Sequence, residues 1–329
     1  MILVTGAAGF IGSCIVAGLN ELGREDIIVV DDYVCTKQFS KKGNDLKKFN
    51  LQNKKFIKFI DKDLLLEKIE SNELSDVKCV IHMGACSSTT IQDEIYFEDN
   101  NFLYTKSLAE WALAQNVRFI YASSAATYGD GSIGYNDDET SVRKCEPLNL
   151  YGASKQKFDE WVLDNNLQDK LVGLKFFNVF GPNEYHKEGM RSVVAKSFDR
   201  VVEEGKISLF KSYKEEYGDG EQKRDFVYVK DVVEVIFYLM NHNDINGIFN
   251  VGTGQARTWK DLAYALFAAV GKEPDIEYVD MPDILQDKYQ YFTEASIQRL
   301  RDAGYTKPFT SLEDAVKDYA QYLKDKSYW

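Results

Sequence analysis

Histidine is scarce in this chain of 329 residues: only His82, His186 and His242 occur, with no H-E-x-x-H or similar grouping. That excludes a zinc site of the usual ligand spacing, and no metal is expected. The five cysteines are Cys14, Cys35, Cys79, Cys86 and Cys145, and none forms a C-x-x-C pair. An odd number without paired spacing argues against a disulfide framework. There is no 18-residue apolar run, basic leader or signal-type cleavage pattern. No membrane partner and a cytoplasmic location are therefore expected. Internal repeats, coiled-coil heptads and low-complexity tracts are also lacking. Basic charge is in deficit, 40 Lys+Arg against 52 Asp+Glu, and the net charge of -12 argues against a nucleic-acid partner. One segment opposes that trend. From Lys37 to Lys58 there are eight lysines and a single acid, Asp45. It reads as a solvated loop or, from its position, as a phosphate contact.

What is present is an alternation of short apolar strands and amphipathic helices. Strands are expected at Ile2–Val4, Asp26–Val30, Val77–His82, Val117–Ala122 and Leu171–Phe177. Helices are expected at Phe10–Leu22, Asn100–Asn116 and 151–166. Later segments read as helix 190–204, a charged loop Lys211–Lys223 and a return through Phe226 to helix 231–241. Strand Gly247–Val251, helix Thr258–Val270, strand Ile276–Val279 and helices 293–303 and 311–324 complete the chain. This order predicts an α/β, doubly wound parallel sheet of Rossmann type with a smaller mixed α/β substrate domain. The dinucleotide domain would take 1–178 plus about 225–255, and the substrate domain 179–224 plus about 256–329.

The first strand runs into Thr5-Gly-Ala-Ala-Gly-Phe-Ile-Gly12, with glycines at Gly6, Gly9 and Gly12. Glycine permits a sharp turn and lets a pyrophosphate approach the N-terminus of the following helix. Asp31 and Asp32 close the second strand, where an acid meets the adenosine ribose. A carboxylate favours NAD, whereas the lysines that follow could compensate a 2′-phosphate. These features leave NAD and NADP equally open.

The strand ending at Ala122 leads into Ser123-Ser-Ala-Ala-Thr-Tyr-Gly129. Hydroxyls at this edge lie near a nicotinamide in such a fold, although Ser123, Ser124 and Thr127 could equally cap a turn. Tyr151 and Lys155 stand four apart on one helical face. Tyrosine ordinarily titrates near pH 10, so serving as a base requires a shift of about three units, or roughly 4 kcal/mol. A neighbouring ammonium and an oxidised nicotinamide would supply it. Ser124, Tyr151 and Lys155 thus form a positioner, a proton acceptor and a charge partner for alcohol oxidation.

T-G-x-x-G-x-x-G at 5–12 and Y-x-x-x-K at 151–155 resemble the extended short-chain dehydrogenase/reductase family. More specific segments are His82–Thr90, Tyr121–Gly129, Asn178–Lys187, Lys223–Tyr228 and Lys288–Thr293, which resemble its nucleotide-sugar epimerases. The resemblance covers nearly the whole chain. It implies inversion at C6″ of ADP-D-glycero-D-manno-heptose through a transient ketone, with NADP as cofactor and NAD as the alternative. It further implies a role in lipopolysaccharide core synthesis and a homo-oligomer, of which a pentamer is one form. Lys187 is implied as a second proton-handling residue opposite Tyr151.

By the same resemblance Phe10, Ile11, Asp31, Asp32, Lys48, Lys62, Met83, Gly84, Ala85, Cys86, Ser87, Asn100, Lys155, Val179 and Lys187 match cofactor positions. Ser124, Asn178, Gly189, Lys196, Phe210, Lys211, Ser212, Tyr213, Arg224 and Tyr289 match substrate positions. Arg224 also suits diphosphate oxygens physically, unless it pairs with Asp225.

Several positions depart from the family pattern. Met83 replaces a common glutamate, Gly189 a serine, Lys196 a histidine and Lys211 an acid, while Asp32 replaces an asparagine. The rival readings are a C4-type nucleotide-sugar epimerase and a non-catalytic NADP sensor. A 4,6-dehydratase fits worse, because Ala125-Ala126 follow Ser124 where an acid and a base would be needed.

Overall fold

A computed structural model of the protein describes residues 1–34, 37–286 and 289–329. Cys35 and Lys288, both considered above, lie outside the described residues. The main sheet has the order β10-β6-β5-β4-β1-β2-β3. Its strands are β1 (Ile2–Thr5), β2 (Ile27–Asp31), β3 (Lys58–Asp61), β4 (Cys79–His82), β5 (Arg118–Ser124), β6 (Val172–Phe176) and β10 (Gly247–Val251). Every pairing in it is parallel. The order reverses between β1 and β4, the point at which doubly wound sheets bind ligands.

Alternation along the strands builds two cores. Val4, Val29, Ile81 and Ile120 face one side, with Ile15 and Leu19 of the Phe10–Glu21 helix and Val232 and Ile236 of the Val229–Asn241 helix. Leu3, Ile28, Val80 and Phe119 face the other, with Leu108 and Ala112 of the Tyr104–Ala114 helix and Phe158 of the Leu150–Asp164 helix. Because successive side chains point to opposite faces, both faces need an apolar cover. Each large apolar side chain buried in this way contributes about 1.5–3 kcal/mol.

Two smaller sheets flank the main one. β9 (Lys223–Tyr228) pairs antiparallel with β11 (Ala256–Thr258) and parallel with β7 (Asn178–Phe180). β8 (Ile207–Phe210) pairs with β12 (Ile276–Val279). Among the described residues no helix is long and apolar enough to cross a membrane. Cys14, Cys79 and Cys145 are buried free thiols, and Cys86 is buried as well.

The strands Lys58–Asp61 and Ile207–Phe210 were not expected from the sequence, and two further segments depart from its reading. The lysine-rich stretch is not simply a loop: Lys41–Phe49 is a helix whose first turn is capped by the Ser40 side chain. The expected helix 293–303 shrinks to Gln298–Asp302. Competing partners hold its start extended, since Thr293 N donates to Lys223 O at 3.2 Å and Ser296 N to Tyr135 O at 3.1 Å. Ala295 N is also taken, by Asp225 Oδ2 at 3.0 Å.

Candidate active site

A cleft opens at the carboxyl edge of the main sheet, where β1 passes through Gly6–Gly9 into the Phe10–Glu21 helix. That helix has Gly9 as its N-cap and no side-chain cap, so its first amides remain free for an anion. A Cβ at Gly12 would stand 2.1 Å from the Gly6 carbonyl oxygen, so only glycine lets the helix sit this close to the turn. These residues fit the pyrophosphate of a dinucleotide.

At the end of β2, Asp31 Oδ2 accepts from Ala8 N at 2.6 Å. Lys47 bridges the two acids, 2.5 Å from Asp31 Oδ1 and 2.8 Å from Asp32 Oδ1. Burial works against the charge on Lys47, but Asp31 and Asp32 outweigh it and hold the ammonium above its ordinary value. Lys48 instead points outward, exposed and 3.4 Å from Asp45. The sequence reading chose the neighbouring lysine: on a helix, consecutive side chains diverge by about 100°.

Phe10, Ile11, Lys62, Met83, Gly84, Ala85, Cys86, Ser87, Asn100, Lys155, Val179 and Lys187 all line the same cleft. So do Ser124 and Tyr151. Lys47, Gln38, Tyr96 and His186 also line it and were not picked out from the sequence. For Lys47 a signal existed: Gly43 and Lys47, four apart behind the Ser40 cap, form one buried helical face.

Ser124 ends β5, and the turn-capping reading of it is seen. Its Oγ accepts from Ala126 N at 3.1 Å, as a turn cap, and the side chain also hydrogen-bonds Tyr151. Tyr151 is half-buried on the first turn of the Leu150–Asp164 helix, whose Asn149 cap accepts from Gly152 N at 2.9 Å. Burial outweighs the Ser124 hydrogen bond and pushes the phenol above its ordinary value of 10.0. Among the chain's own groups, the cleft walls strip water from the ring, and that cost exceeds the help from Ser124; the lowering expected from the charge of a bound oxidised nicotinamide is a separate contribution. Lys155 is buried, and desolvation brings it down to about 8, against an opposing pull from Asp159.

Lys187 lines the same cleft from a different element, the Tyr185–Met190 turn. Its Nζ lies 4.9 Å from the Phe10 ring centre. Burial, with Lys196 adding repulsion, lowers its pKa despite nearby Glu184. The residue is half-buried and is not the solvent-facing lysine that its place after a turn would suggest. The Lys41–Phe49 helix braces this turn: Ser40 N donates to Glu188 Oε2 at 3.1 Å, and Asn50 Nδ2 lies 3.1 Å from His186 Nδ1.

The remaining sequence-picked residues form two groups outside the cleft lining. Gly189 and Lys196 border a separate depression with Arg191 and Tyr328. Phe210, Tyr289 and Arg224 cluster beyond β9, with the guanidinium 5.0 Å from Tyr289 and 5.8 Å from Trp259. Arg224 is buried and donates to Lys223 O at 2.8 Å, and among the described residues it forms no salt bridge. Asp225 is satisfied elsewhere, by Thr253 N at 2.7 Å and Gly254 N at 2.9 Å. Lys211 pairs with Asp280 at 3.0 Å, Ser212 N bonds Asp219 Oδ1 at 2.7 Å, and Tyr213 N bonds Tyr291 OH at 3.0 Å. Asn178 is exposed at the start of β7.

The NAD dependent epimerase/dehydratase family matches residues 2–252. The chain belongs to that family. Membership makes it a nicotinamide-dependent enzyme of the epimerase/dehydratase type. It is 49% identical over 325 residues, 98% of each chain, to an ADP-L-glycero-D-manno-heptose-6-epimerase of Nitratidesulfovibrio vulgaris. The crystal structure of the Helicobacter pylori enzyme of that name matches with a TM-score of 0.79 at 30% identity, covering 98% of this chain and 96% of that one. A UDP-glucuronic acid 4-epimerase from Bacillus cereus, in complex with UDP-glucuronic acid and NAD, matches with a TM-score of 0.78 at 25% identity and 99% coverage of both chains.

Proposed function

We propose that the protein is an NADP-dependent epimerase that inverts C6″ of ADP-D-glycero-D-manno-heptose, giving the ADP-L-glycero form for lipopolysaccharide core heptose. C6″ is oxidised to a ketone and re-reduced on its other face, so there is no net redox change. One observation carries the reading: Tyr151 and Lys187 reach one cleft from two different elements. Inversion needs a proton partner for the 6″ oxygen in each epimer. A C4-type epimerase of the same family would need no Lys187.

When bound, the nicotinamide supplies the hydride acceptor and then the donor. The chain's own residues hold and move the proton at the 6″ oxygen. Tyr151, raised by burial, starts as the protonated partner, and Lys187, lowered by burial, is tuned toward accepting. Ser124 orients the Tyr151 hydroxyl, and Lys155 contributes its positive charge. Arg224, a buried guanidinium without a carboxylate partner among the described residues, suits the ADP diphosphate, with Tyr289 and Phe210 beside it. Lys47, with the lysines around it, favours NADP over NAD by offsetting Asp31 and Asp32. The reading assigns the dinucleotide to 1–178 with about 225–255 and the sugar to 179–224 with about 256–329. It also takes the active form to be a cytoplasmic homo-oligomer.

Incubation with ADP-D-glycero-D-manno-heptose, followed by NMR at C6″, tests the function. Inversion supports it; turnover of UDP-galactose without inversion of the heptose would replace it with the C4 reading. Mass spectrometry of cofactor released from the purified protein separates NADP from NAD.

A further inference from the structure

Beneath the cleft floor lies an ion pair fully removed from solvent. Lys175 Nζ, on β6, stands 2.6 Å from Asp159 Oδ2, and both side chains have zero exposure. Asp159 belongs to the Leu150–Asp164 helix, one turn beyond Lys155 and two beyond Tyr151. Its carboxylate also accepts from Tyr121 OH at 2.9 Å and Ser123 Oγ at 2.6 Å, both on β5. Lys175 donates to Thr127 Oγ1 at 2.7 Å, and Thr127 Oγ1 donates to the Ser124 carbonyl at 2.8 Å. One charge pair therefore touches the helix of Tyr151 and Lys155, the residue before Ser124 and the turn after it.

Desolvating two charges costs several kcal/mol each, and an apolar pair of similar volume commonly stabilises as well. Fold stability alone is a weak reason for this pair. We propose that Asp159, paired with Lys175, is a positioning residue of the reaction centre: it fastens the helix bearing Tyr151 and Lys155 to the strand and turn bearing Ser124, and sets a negative charge one turn from Lys155. The proposal rests on the reading that Ser124, Tyr151 and Lys155 serve the reaction.

The charges facing Lys155 are few. Asp159 is on its own helix; Cys86 and His82 come from the β4 side. His82 is buried and brought down to about 3, so it is neutral at pH 7. Around Asp159 stand Tyr121 and Ser123 from β5 and Lys175 from β6, while Tyr128 and Cys145, held from ionising chiefly by burial, also feel its charge. Asp159 thus supports the Lys155 ammonium against the burial that lowers it. Without that carboxylate, Lys155 loses its proton at a lower pH.

Asp159→Asn alone leaves Lys175 an uncompensated buried cation, so the main variant is Asp159→Asn/Lys175→Met. Circular dichroism establishes folding, and kcat/KM for the heptose is then followed against pH. The alkaline limb is expected to move at least one unit lower, with kcat reduced about tenfold or more. Asp159→Glu keeps the charge and is expected to keep the limb where the parent has it. The same displacement is expected in the pH dependence of binding of reduced nicotinamide cofactor, read by its fluorescence without any sugar. A parent protein that binds cofactor but does not turn over the heptose would count against the proposed function, and the binding profile would still judge Asp159. An unmoved profile in the folded double variant, or an equal displacement in Asp159→Glu, would overturn the positioning role and leave the pair a packing feature.

Discussion

Lys47 Nζ sits between two carboxylates, 2.5 Å from Asp31 and 2.8 Å from Asp32, and is almost completely buried. The acids that would repel a 2′-phosphate are therefore already neutralised in part. Lys47→Met is expected to raise the Kd for NADP about tenfold, on the order of 1.4 kcal/mol, and that for NAD much less. Titration with both dinucleotides checks this; equal losses would reduce Lys47 to a scaffold.

Tyr151→Phe and Lys187→Ala are each expected to slow epimerisation by roughly 10²–10⁴-fold, the usual contribution of a positioned acid or base. Cofactor binding should survive in both, as equilibrium titration would report. Full activity in Lys187→Ala would remove that residue from the chemistry.

The position of Lys155 gives a pH dependence with a definite sign. Burial sets its ammonium at about 8, well below its ordinary 10.5. The charged form exists below that value, so activity depending on it is present at neutral pH and lost as pH rises through about 8. A plot of kcat/KM against pH, which reports free-enzyme groups, should show this alkaline limb. A flat profile up to pH 10 would contradict it.

Arg224→Met removes a buried guanidinium while leaving much of the packing against Trp259 and Tyr289. The expected result is a KM raised about tenfold or more with kcat nearly unchanged, because the diphosphate is bound alike in ground and transition states. A fall in kcat at constant KM would place Arg224 in the chemical step instead.

The parallel sheet was legible because its strands are short apolar runs between amphipathic helices, and the cofactor cradle because Gly6, Gly9 and Gly12 follow the first of them. Three features were not. Lys47 could not be told from Lys48 while the lysine-rich stretch was read as a loop; only the helical turn separates the inward side chain from the outward one. The shift of Tyr151 depends on how much water the folded cleft admits, which spacing along the chain does not encode. Residues 293–297 carry a helix-compatible pattern, but Asp225, Lys223 and Tyr135, distant in sequence, claim the amides. Thr127 was rightly suspected of a local bond, which it makes to the Ser124 carbonyl, whereas the Ser123 hydroxyl bonds Asp159 instead; the long-range partners of the two, Asp159 and Lys175, became visible only in three dimensions.

Ser40 and Asn50, which flank the Lys41–Phe49 helix, both hold the turn that carries Lys187. The helix that carries Lys47 and the turn that carries Lys187 are therefore joined directly by these two contacts. On the proposed function, this coupling would tie escape of the cofactor to loss of the second proton partner, so that a ketone would not outlive its reductant.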